Sequence, residues 1–484
     1  MAQSLKEKTA RGILWGSLNN GGQQMLNLVF GIFLGRLLSP SDYGMVGMLT
    51  IFTILASALQ ESGFISALNK KENVSQRDFN AVFWFNVLCG ITLYIILFFA
   101  APLIASWYGK PVLTPLARLT FLGFVFASFG TTPRAVLFRS MRVKETAWMS
   151  LTALALSGIT GIVLAWNGFS YWGIAIQNIV YCAMMTAGSW WFSGWRPSLR
   201  IDLRPLREMI GFSSKLLFTN IFTGVNNNLF SIFFGKLYGE HTVGVYNQAN
   251  KWTGMGYTFL IGTLWGVTQP VFARIADDRV RQRRAFRKML RFTAMVSCPA
   301  LFGLALIAQE FITILITDKW LESAYLMQIL CIGGAFAPIS SFYSNYLISQ
   351  GRSSVFFWNT VVLCLLQMGA LFVFYPYGVE RMVEVYTALG IVWIVAWHHF
   401  VRKQNGLRLF EALLDIVPFV LCAAAAMAAG WGASLLADGN IYGSISLKIV
   451  AAAATYVLLM WGLKVKVFRE CLEFVFKRKT GEAE

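Results

Sequence analysis

Long runs of hydrophobic residues alternate with short polar connections along nearly the whole chain. An α-helix needs about 20 predominantly apolar residues to cross a bilayer. The least distinct boundaries lie near 166–169 and 376–381, where the connections are very short and contain turn residues. The pattern predicts fourteen transmembrane helices, at residues 12–37, 42–68, 79–107, 113–136, 147–166, 169–193, 209–237, 243–275, 291–317, 321–349, 354–376, 381–400, 412–436 and 442–463.

The composition agrees with this pattern. Hydrophobic residues make up 56% of the 484 positions and charged residues only 13%, about half the usual share of a soluble protein. The charges are too few to cover the surfaces of several soluble domains. A transmembrane β-barrel would alternate apolar and polar residues in short strands, whereas these apolar runs are continuous. We therefore expect an all-α polytopic membrane protein.

The basic residues predict its orientation. Counting the span ends with the connections beside them, 32 of the 41 lysines and arginines fall on one alternate set of connections and tails, seven on the other set, and two deeper within spans. Cytoplasmic loops of membrane proteins carry such an excess. The pattern predicts an even number of spans with both termini in the cytoplasm. The net charge of +18 then reflects topology and attraction to anionic lipids, and a nucleic-acid partner is not expected.

The chain also repeats itself. At an offset of 200 residues the first predicted span matches the seventh, and Gly44 matches Gly244; a second stretch matches at an offset of 210, including Trp148 with Trp358. Six spans per repeat give both halves the same orientation, as in some secondary transporters. We expect two parallel six-helix bundles around a shared cavity, in residues 1–205 and 206–405. Residues 406–484 add two transmembrane helices and a basic cytoplasmic tail.

The segment GIFLGRLLSPSDYG, residues 31–44, resembles the first-hairpin signature of bacterial polysaccharide exporters. The basic start before Trp15 and the segment QESGF at 60–64 resemble the same proteins. The resemblance extends over essentially the whole chain and is to Wzx-type flippases of the MOP (multidrug/oligosaccharidyl-lipid/polysaccharide) superfamily, near the colanic-acid and teichuronic-acid branch. It implies movement of an undecaprenyl-diphosphate-linked oligosaccharide from the inner to the outer leaflet of the bacterial inner membrane, for surface polysaccharide or lipopolysaccharide biosynthesis.

Amide side chains form a stripe within the first span and its repeat. Asn20, Gln23 and Asn27 are spaced i, i+3, i+7, and the equivalent positions in the seventh span are Asn220, Thr223 and Asn227. Amides that faced lipid would be costly, so the stripe should face the bundle or water. It could bind sugar hydroxyls, because amides both donate and accept hydrogen bonds. Alternatively, it could join helices by hydrogen bonds.

Two lysines lie about two turns inside predicted spans, Lys215 in the seventh and Lys251 in the eighth. A cation at that depth is costly unless it meets water or an anion. Both are candidate ligands of a diphosphate headgroup, and the alternative is that each extends toward the nearer interface. The basic stretch 279–291 could likewise attract an anionic lipid headgroup, or simply lie on the inner leaflet.

Three carboxylates, Glu61, Glu310 and Asp415, lie within spans or near their ends and are candidates for binding a coupling proton or sodium ion; of these, Glu61 and Glu310 are the deeper positions. The seven cysteines and three histidines lack metal-ligand spacing. We therefore expect no catalytic residues, no metal site and no cofactor.

The leading hypothesis is a flippase whose partners are the lipid-linked oligosaccharide, membrane lipids, and candidate glycosyltransferases and a polysaccharide polymerase. One alternative is a multidrug or small-solute exporter of the same superfamily. Another is a membrane glycosyltransferase, polymerase or ligase. Such an enzyme would need carboxylates or histidines in a sizeable loop or domain, but the predicted external connections are short.

Overall fold

A computed structural model describes residues 5–61, 68, 71, 74–199, 202–207, 217, 221–222, 224–226, 228–275, 278–437 and 440–477. Within these residues the structure is helical and contains no β-strand. The α-helices are α1 Leu5–Leu37, α2 Pro40–Glu61, α3 Gln76–Tyr108, α4 Leu113–Arg139, α5 Val143–Trp166, α6 Ser170–Ser193, α7 Leu229–Leu237, α8 Glu240–Arg274, α9 Arg279–Leu306, α10 Ala308–Ile316, α11 Leu321–Gly334, α12 Ala337–Ser349, α13 Ser353–Phe374, α14 Val379–Val392, α15 Ile394–Asn405, α16 Leu409–Ser434, α17 Ile441–Gly462 and α18 Lys466–Lys477.

The predicted all-α membrane fold is confirmed. Nine helical segments among the described residues are long and apolar enough to cross a bilayer. The observed helices α3 to α6, α13, α16 and α17 each begin and end within a few residues of a predicted span. Much of the predicted seventh span lies outside the described residues, so the total of fourteen remains a prediction.

Three predicted spans are each divided into two helices. The ninth breaks at Ile307, the tenth between α11 and α12, and the twelfth at Trp393. Pro338 occupies the first turn of α12, where its missing N–H does no harm. If α11 continued through this point as one helix, the ring of Pro338 would collide with the backbone carbonyl four residues earlier. The division between α11 and α12 therefore follows from this proline.

The chain divides into two compact units, Met1–Asn247 and Gln248–Glu484. The division lies within α8, whereas the repeat predicted a boundary near residue 205. The two boundaries describe different things, because the predicted one separates sequence repeats and the observed one separates compact units. The division into two repeats near residue 205 stays a prediction.

Unit 1 is built from α1 to α7 and the start of α8. In it, α4 packs against α3 and α6, and α5 packs against α1 and α6. After α6, the chain returns across the beginning of α3. The indole of Trp195 donates a 2.7 Å hydrogen bond to Gln76, and the backbone N–H of Ser198 donates one of 2.8 Å to Asn80. The backbone N–H of Arg204 and the guanidinium of Arg77 lower the pKa of Asp202 in this segment.

Two glycines that the repeat pairs meet where α2 and α8 begin. A Cβ atom on Gly44 would lie 1.7 Å from the carbonyl oxygen of Glu240, and one on Gly244 would lie 1.8 Å from that of Pro40. Only glycine permits backbones to approach so closely. The crossing is reciprocal, because each glycine faces the residue four positions before the other.

Unit 2 is organised around α9, which packs against α16 as well as α11. Three arginines one turn apart on α9 face two acidic residues one turn apart on α16. Asp415 is 1% exposed and accepts hydrogen bonds of 2.6 Å from both Arg287 and Arg291, while Arg283 pairs with Glu411 at 2.6 Å. Part of the basic stretch is therefore used to join two helices, and Asp415 is held by two cations.

The last helix of the described residues, α18, has hydrophobic residues along one face and charged residues along the other. Glu470 on α18 pairs with Lys288 on α9 at 2.5 Å, with both side chains more than half exposed. Helices of this kind lie in the membrane interface. Its charged face is thus linked to the basic part of α9.

Candidate functional site

The polar stripe of α1 is divided between two environments. The carboxamide of Gln23 donates to Asn19 at 2.9 Å, and the hydroxyl of Ser150 on α5 donates to Asn19 at 2.7 Å. Gln23 also lies 3.5 Å from the Ser150 hydroxyl. These side chains are half-buried or buried. This part of the stripe joins α1 to α5 by interhelical hydrogen bonds.

Asn20 and Asn27 lie on a different part of the same helix, and both are exposed. Gln24 is exposed beside them. With 3.6 residues per turn, the three amides lie within an arc of about 60°. None of them hydrogen-bonds another side chain among the described residues. They therefore form an open polar face, which we call the α1 amide face.

The hydrophobic residues of α1 occupy a third direction. Leu18 and Met25 are 54% and 73% exposed, and they lie about 140–160° around the helix from Asn20. That face suits contact with lipid. The side that packs on α5 is reached by turning the other way around the helix from Asn20. It includes Gly22, where an added Cβ atom would lie 2.9 Å from the side chain of Leu151. The α1 amide face is thus separate from both the packed side and the apolar side.

Four of the other candidate substrate-binding residues belong to the predicted seventh span. Lys215, Asn220, Thr223 and Asn227 all lie outside the described residues. Their predicted role remains a prediction.

Lys251 lies on α8, about three turns after its first residue. The side chain is half-buried, and its ammonium group lies 5.4 Å from the ring centroid of Trp252. It makes no hydrogen bond or ion pair with any other described residue. A lysine at this depth needs water or an anion, so Lys251 retains the features that made it a candidate.

The two deeper ion-coupling candidates, Glu61 and Glu310, lie in different environments. The backbone of Glu61 ends α2, and its side chain is outside the described part of the structure. Glu310 is 9% exposed and lies in the first turn of α10. Its Oε1 accepts hydrogen bonds from Lys448 at 2.5 Å and from Ser444 at 2.9 Å.

Lys448 is one of the seven cations that the charge pattern assigns to the less basic set of connections. It lies instead within α17 and is 8% exposed. Its ammonium group also donates to the carbonyl oxygen of Leu306 at 3.2 Å, the last residue of α9. Sequence reasoning missed this pair because 138 residues separate the partners. The available signal was two opposite charges, each about two turns inside the predicted external end of its span.

Lys448 lines both an apolar groove and a smaller cavity within unit 2. An apolar groove of about 620 Å³ runs between α9, α16 and α17, with Pro299, Ala426 and Tyr456 in its wall. A second cavity of about 460 Å³ is bounded by Gln309, Gln328, Trp431 and Lys448. Both volumes are typical of ligand-sized pockets.

The family model described as "Polysaccharide biosynthesis protein" matches residues 33–325. The chain belongs to this family. The predicted relation to polysaccharide exporters is thereby confirmed at the level of the family.

Curated relatives of this polysaccharide biosynthesis protein span most of its length. It is 22% identical to the teichuronic acid biosynthesis protein TuaB of Bacillus subtilis, over 94% of this chain and 96% of that protein. It is 25% identical to the lipopolysaccharide biosynthesis protein WzxC of Escherichia coli, over 73% and 72% respectively. It is also 25% identical to the succinoglycan biosynthesis transport protein ExoT of Rhizobium meliloti, over 82% of each chain.

Solved structures define the fold of this polysaccharide biosynthesis protein. The lipid II flippase MurJ in an inward closed conformation superposes with a TM-score of 0.77, covering 95% of this chain and 100% of that one at 15% identity. An inward-facing MATE multidrug transporter of the MOP superfamily gives 0.61, covering 83% and 95% at 17% identity. At these identities the likeness establishes a shared helical transporter fold.

Proposed function

We propose that this protein is a flippase that moves a lipid-linked oligosaccharide across the bacterial inner membrane for surface polysaccharide biosynthesis. Family membership and the names of the relatives TuaB, WzxC and ExoT support the pathway. The fold shared with a lipid flippase supports the type of activity. The protein acts as a transporter rather than an enzyme.

The observation that carries this proposal is the α1 amide face. A lipid-linked oligosaccharide has many hydroxyl groups, and each costs several kcal/mol in hydrocarbon if it is unpaired. Asn20, Gln24 and Asn27 are exposed amides without side-chain partners in the described part of the chain, on a helix of membrane-spanning length. They can exchange hydrogen bonds with sugar hydroxyls. The polyprenyl tail remains in lipid while the glycan follows the amides.

The carrier lipid supplies a diphosphate, which we take to be that of undecaprenyl diphosphate. Lys251 is suited to meet it, since it is a half-buried cation without a partnered carboxylate among the described residues. Lys215 and the amides Asn220 and Asn227, with Thr223, would complete the path from the second repeat. Gln23 supports the path by fixing α1 on α5.

We propose that transport proceeds by alternating access, with the glycan entering from the basic cytoplasmic side and leaving in the outer leaflet. In this scheme both termini lie in the cytoplasm. Outward movement needs a coupled ion or removal of the product outside. Glu61 remains a candidate for ion coupling. At Glu310, binding of a coupling ion would first have to replace the hydrogen bond from Lys448.

Proteoliposomes test the proposal. Purified protein is reconstituted with a fluorescent undecaprenyl-diphosphate oligosaccharide, and the glycan accessible outside is measured over time. We expect faster appearance than in protein-free vesicles. The same vesicles, given a cationic drug or a nucleotide sugar, test the alternative exporter and the alternative glycosyltransferase. Drug movement or glycosyl transfer without lipid movement would contradict the proposal.

A further inference from the structure

The break between α9 and α10 is stabilised by an ion pair that joins both helix ends. Lys448 donates to the carbonyl oxygen of Leu306, the final residue of α9, and to the Oε1 atom of Glu310 in the first turn of α10. A cation is favourable at a helix C-terminus and an anion at a helix N-terminus. The pair is therefore satisfied electrostatically and contributes no net charge to its surroundings.

Discontinuous helices in transporters often surround a ligand, because their ends present polar groups at membrane depth. Here the break adjoins the cavity of about 460 Å³. Lys448 lines this cavity, and only two of its three ammonium donors are used. The Oε2 atom of Glu310 is buried and has no hydrogen-bond partner among the described residues. One hydrogen-bond donor and one acceptor at the break are therefore unused among the described residues.

Two amides face the same cavity. Gln309 on α10 and Gln328 on α11 both line it, and both are half-buried. Neither side chain makes a hydrogen bond with a residue in the described ranges. Unpaired amides on membrane helices are costly unless a polar group reaches them. The remaining wall includes the indole of Trp431, which is 60% exposed and offers a flat apolar surface.

We propose that this cavity is a binding subsite for a neutral, hydroxyl-rich glycosyl group. Two amides and one ammonium donor can pair with hydroxyls, while the indole can cover the apolar side of a sugar ring. Because Glu310 neutralises Lys448, the subsite favours an uncharged sugar over a phosphate. The positive-inside pattern assigns this end of unit 2 to the outside. Building on the proposed flippase function, the subsite receives part of the glycan as it leaves.

The test uses the full-length protein in a polyoxyethylene detergent that contains no sugar. Native mass spectrometry measures retention of monoglucosyl diacylglycerol, with phosphatidylglycerol as an anionic comparison. We expect Trp431→Leu to reduce retention of the glucolipid at least fivefold. Trp461→Leu is the matched control, because Trp461 is 62% exposed and lies at the C-terminal end of α17, whereas the cavity adjoins Lys448 near the start of that helix. Its retention should equal that of the wild type.

A second variant, Gln309→Leu combined with Gln328→Leu, leaves the ion pair intact and should also lose glucolipid retention. Gln404→Leu, on α15 away from the cavity, controls for the loss of an amide. Equal retention of glucolipid by Trp431→Leu and wild type would overturn the subsite. The subsite would also be overturned if the variant lost retention of phosphatidylglycerol and kept that of the glucolipid. Flipping in proteoliposomes is measured separately, so a normal flippase that lacks this binding would refute the subsite alone.

Discussion

Gly44 and Gly244 face each other's helices across a backbone contact at the crossing of α2 and α8. A Cβ at either position would fall less than 2 Å from a carbonyl oxygen of the opposite helix. The same two residues are paired by the sequence repeat at its offset of 200. Their reciprocal placement indicates that the repeat is also a local structural symmetry.

We predict that Gly44→Ala lowers thermal stability, because the new methyl group meets backbone atoms that cannot rotate away. Overpacking typically costs about 1–3 kcal/mol, and a backbone clash places this change at or above the upper end. Gly369→Ala in α13 is the control, since a Cβ there has open space and alanine favours helix. Unfolding midpoints in detergent measure both. Equal midpoints for Gly44→Ala and wild type would contradict the crossing.

The Glu310–Lys448 pair should behave as a coupled unit. Lys448→Met leaves a buried carboxylate without its cation, and such changes cost about 3–5 kcal/mol. Combining it with Glu310→Gln removes the stranded charge, so the double variant should be more stable than Lys448→Met alone. A thermal double-mutant cycle measures this coupling. Additive losses would show that the two side chains do not interact.

Asp415 is expected to be more important for stability than the exposed ion pair near it. Asp415→Asn removes the carboxylate that Arg287 and Arg291 share, whereas Lys288→Ala removes only a pair exposed on both sides. Exposed pairs contribute about 0–1 kcal/mol. Detergent unfolding should therefore show a clear loss for Asp415→Asn and little change for Lys288→Ala. A larger loss for Lys288→Ala than for Asp415→Asn would show that the ion pairs between α9 and α16 do not contribute to stability.

The hydrophobic pattern was sufficient to predict the all-α membrane fold and most described helix ends, since bilayer thickness fixes both the length and the polarity of a span. It did not predict the break at Ile307, because residues 304–316 contain no glycine or proline to mark a turn there. What stabilises that break is Lys448, which is distant in sequence. Only tertiary structure brings the two together.

The polar stripe illustrates the same limit within one helix. Spacing placed Asn20, Gln23 and Asn27 on one face, and both alternatives for that face were physically reasonable. The structure places Gln23 beside Ser150 and leaves Asn20 and Asn27 exposed. Asn19 accepts a hydrogen bond from Ser150, whereas the next residue, Asn20, is exposed, so a shift of one position decides which amide meets α5. Which side chain of α5 would be there could not be read from α1.

Thiol accessibility should reveal this division. In a variant without the native cysteines, Asn20→Cys and Asn27→Cys should react with a membrane-impermeant maleimide, because the α1 amide face is hydrated. Met25 is also exposed in the structure but lies on the apolar side of α1, so lipid should protect Met25→Cys from the reagent. If position 25 were labelled as much as positions 20 and 27, or more, the α1 amide face would not be the hydrated side of the helix.

The most direct measurement of the central claim is flipping of a lipid-linked oligosaccharide by Asn20→Leu combined with Asn27→Leu, compared with wild type and with Leu18→Ala. All three are reconstituted at equal amounts, and their unfolding midpoints are recorded. We predict that wild type and Leu18→Ala flip the lipid at similar rates, while the double amide variant is at least tenfold slower at an unchanged midpoint. A wild type no faster than empty vesicles, or a stable double variant with the wild-type rate, would contradict the account.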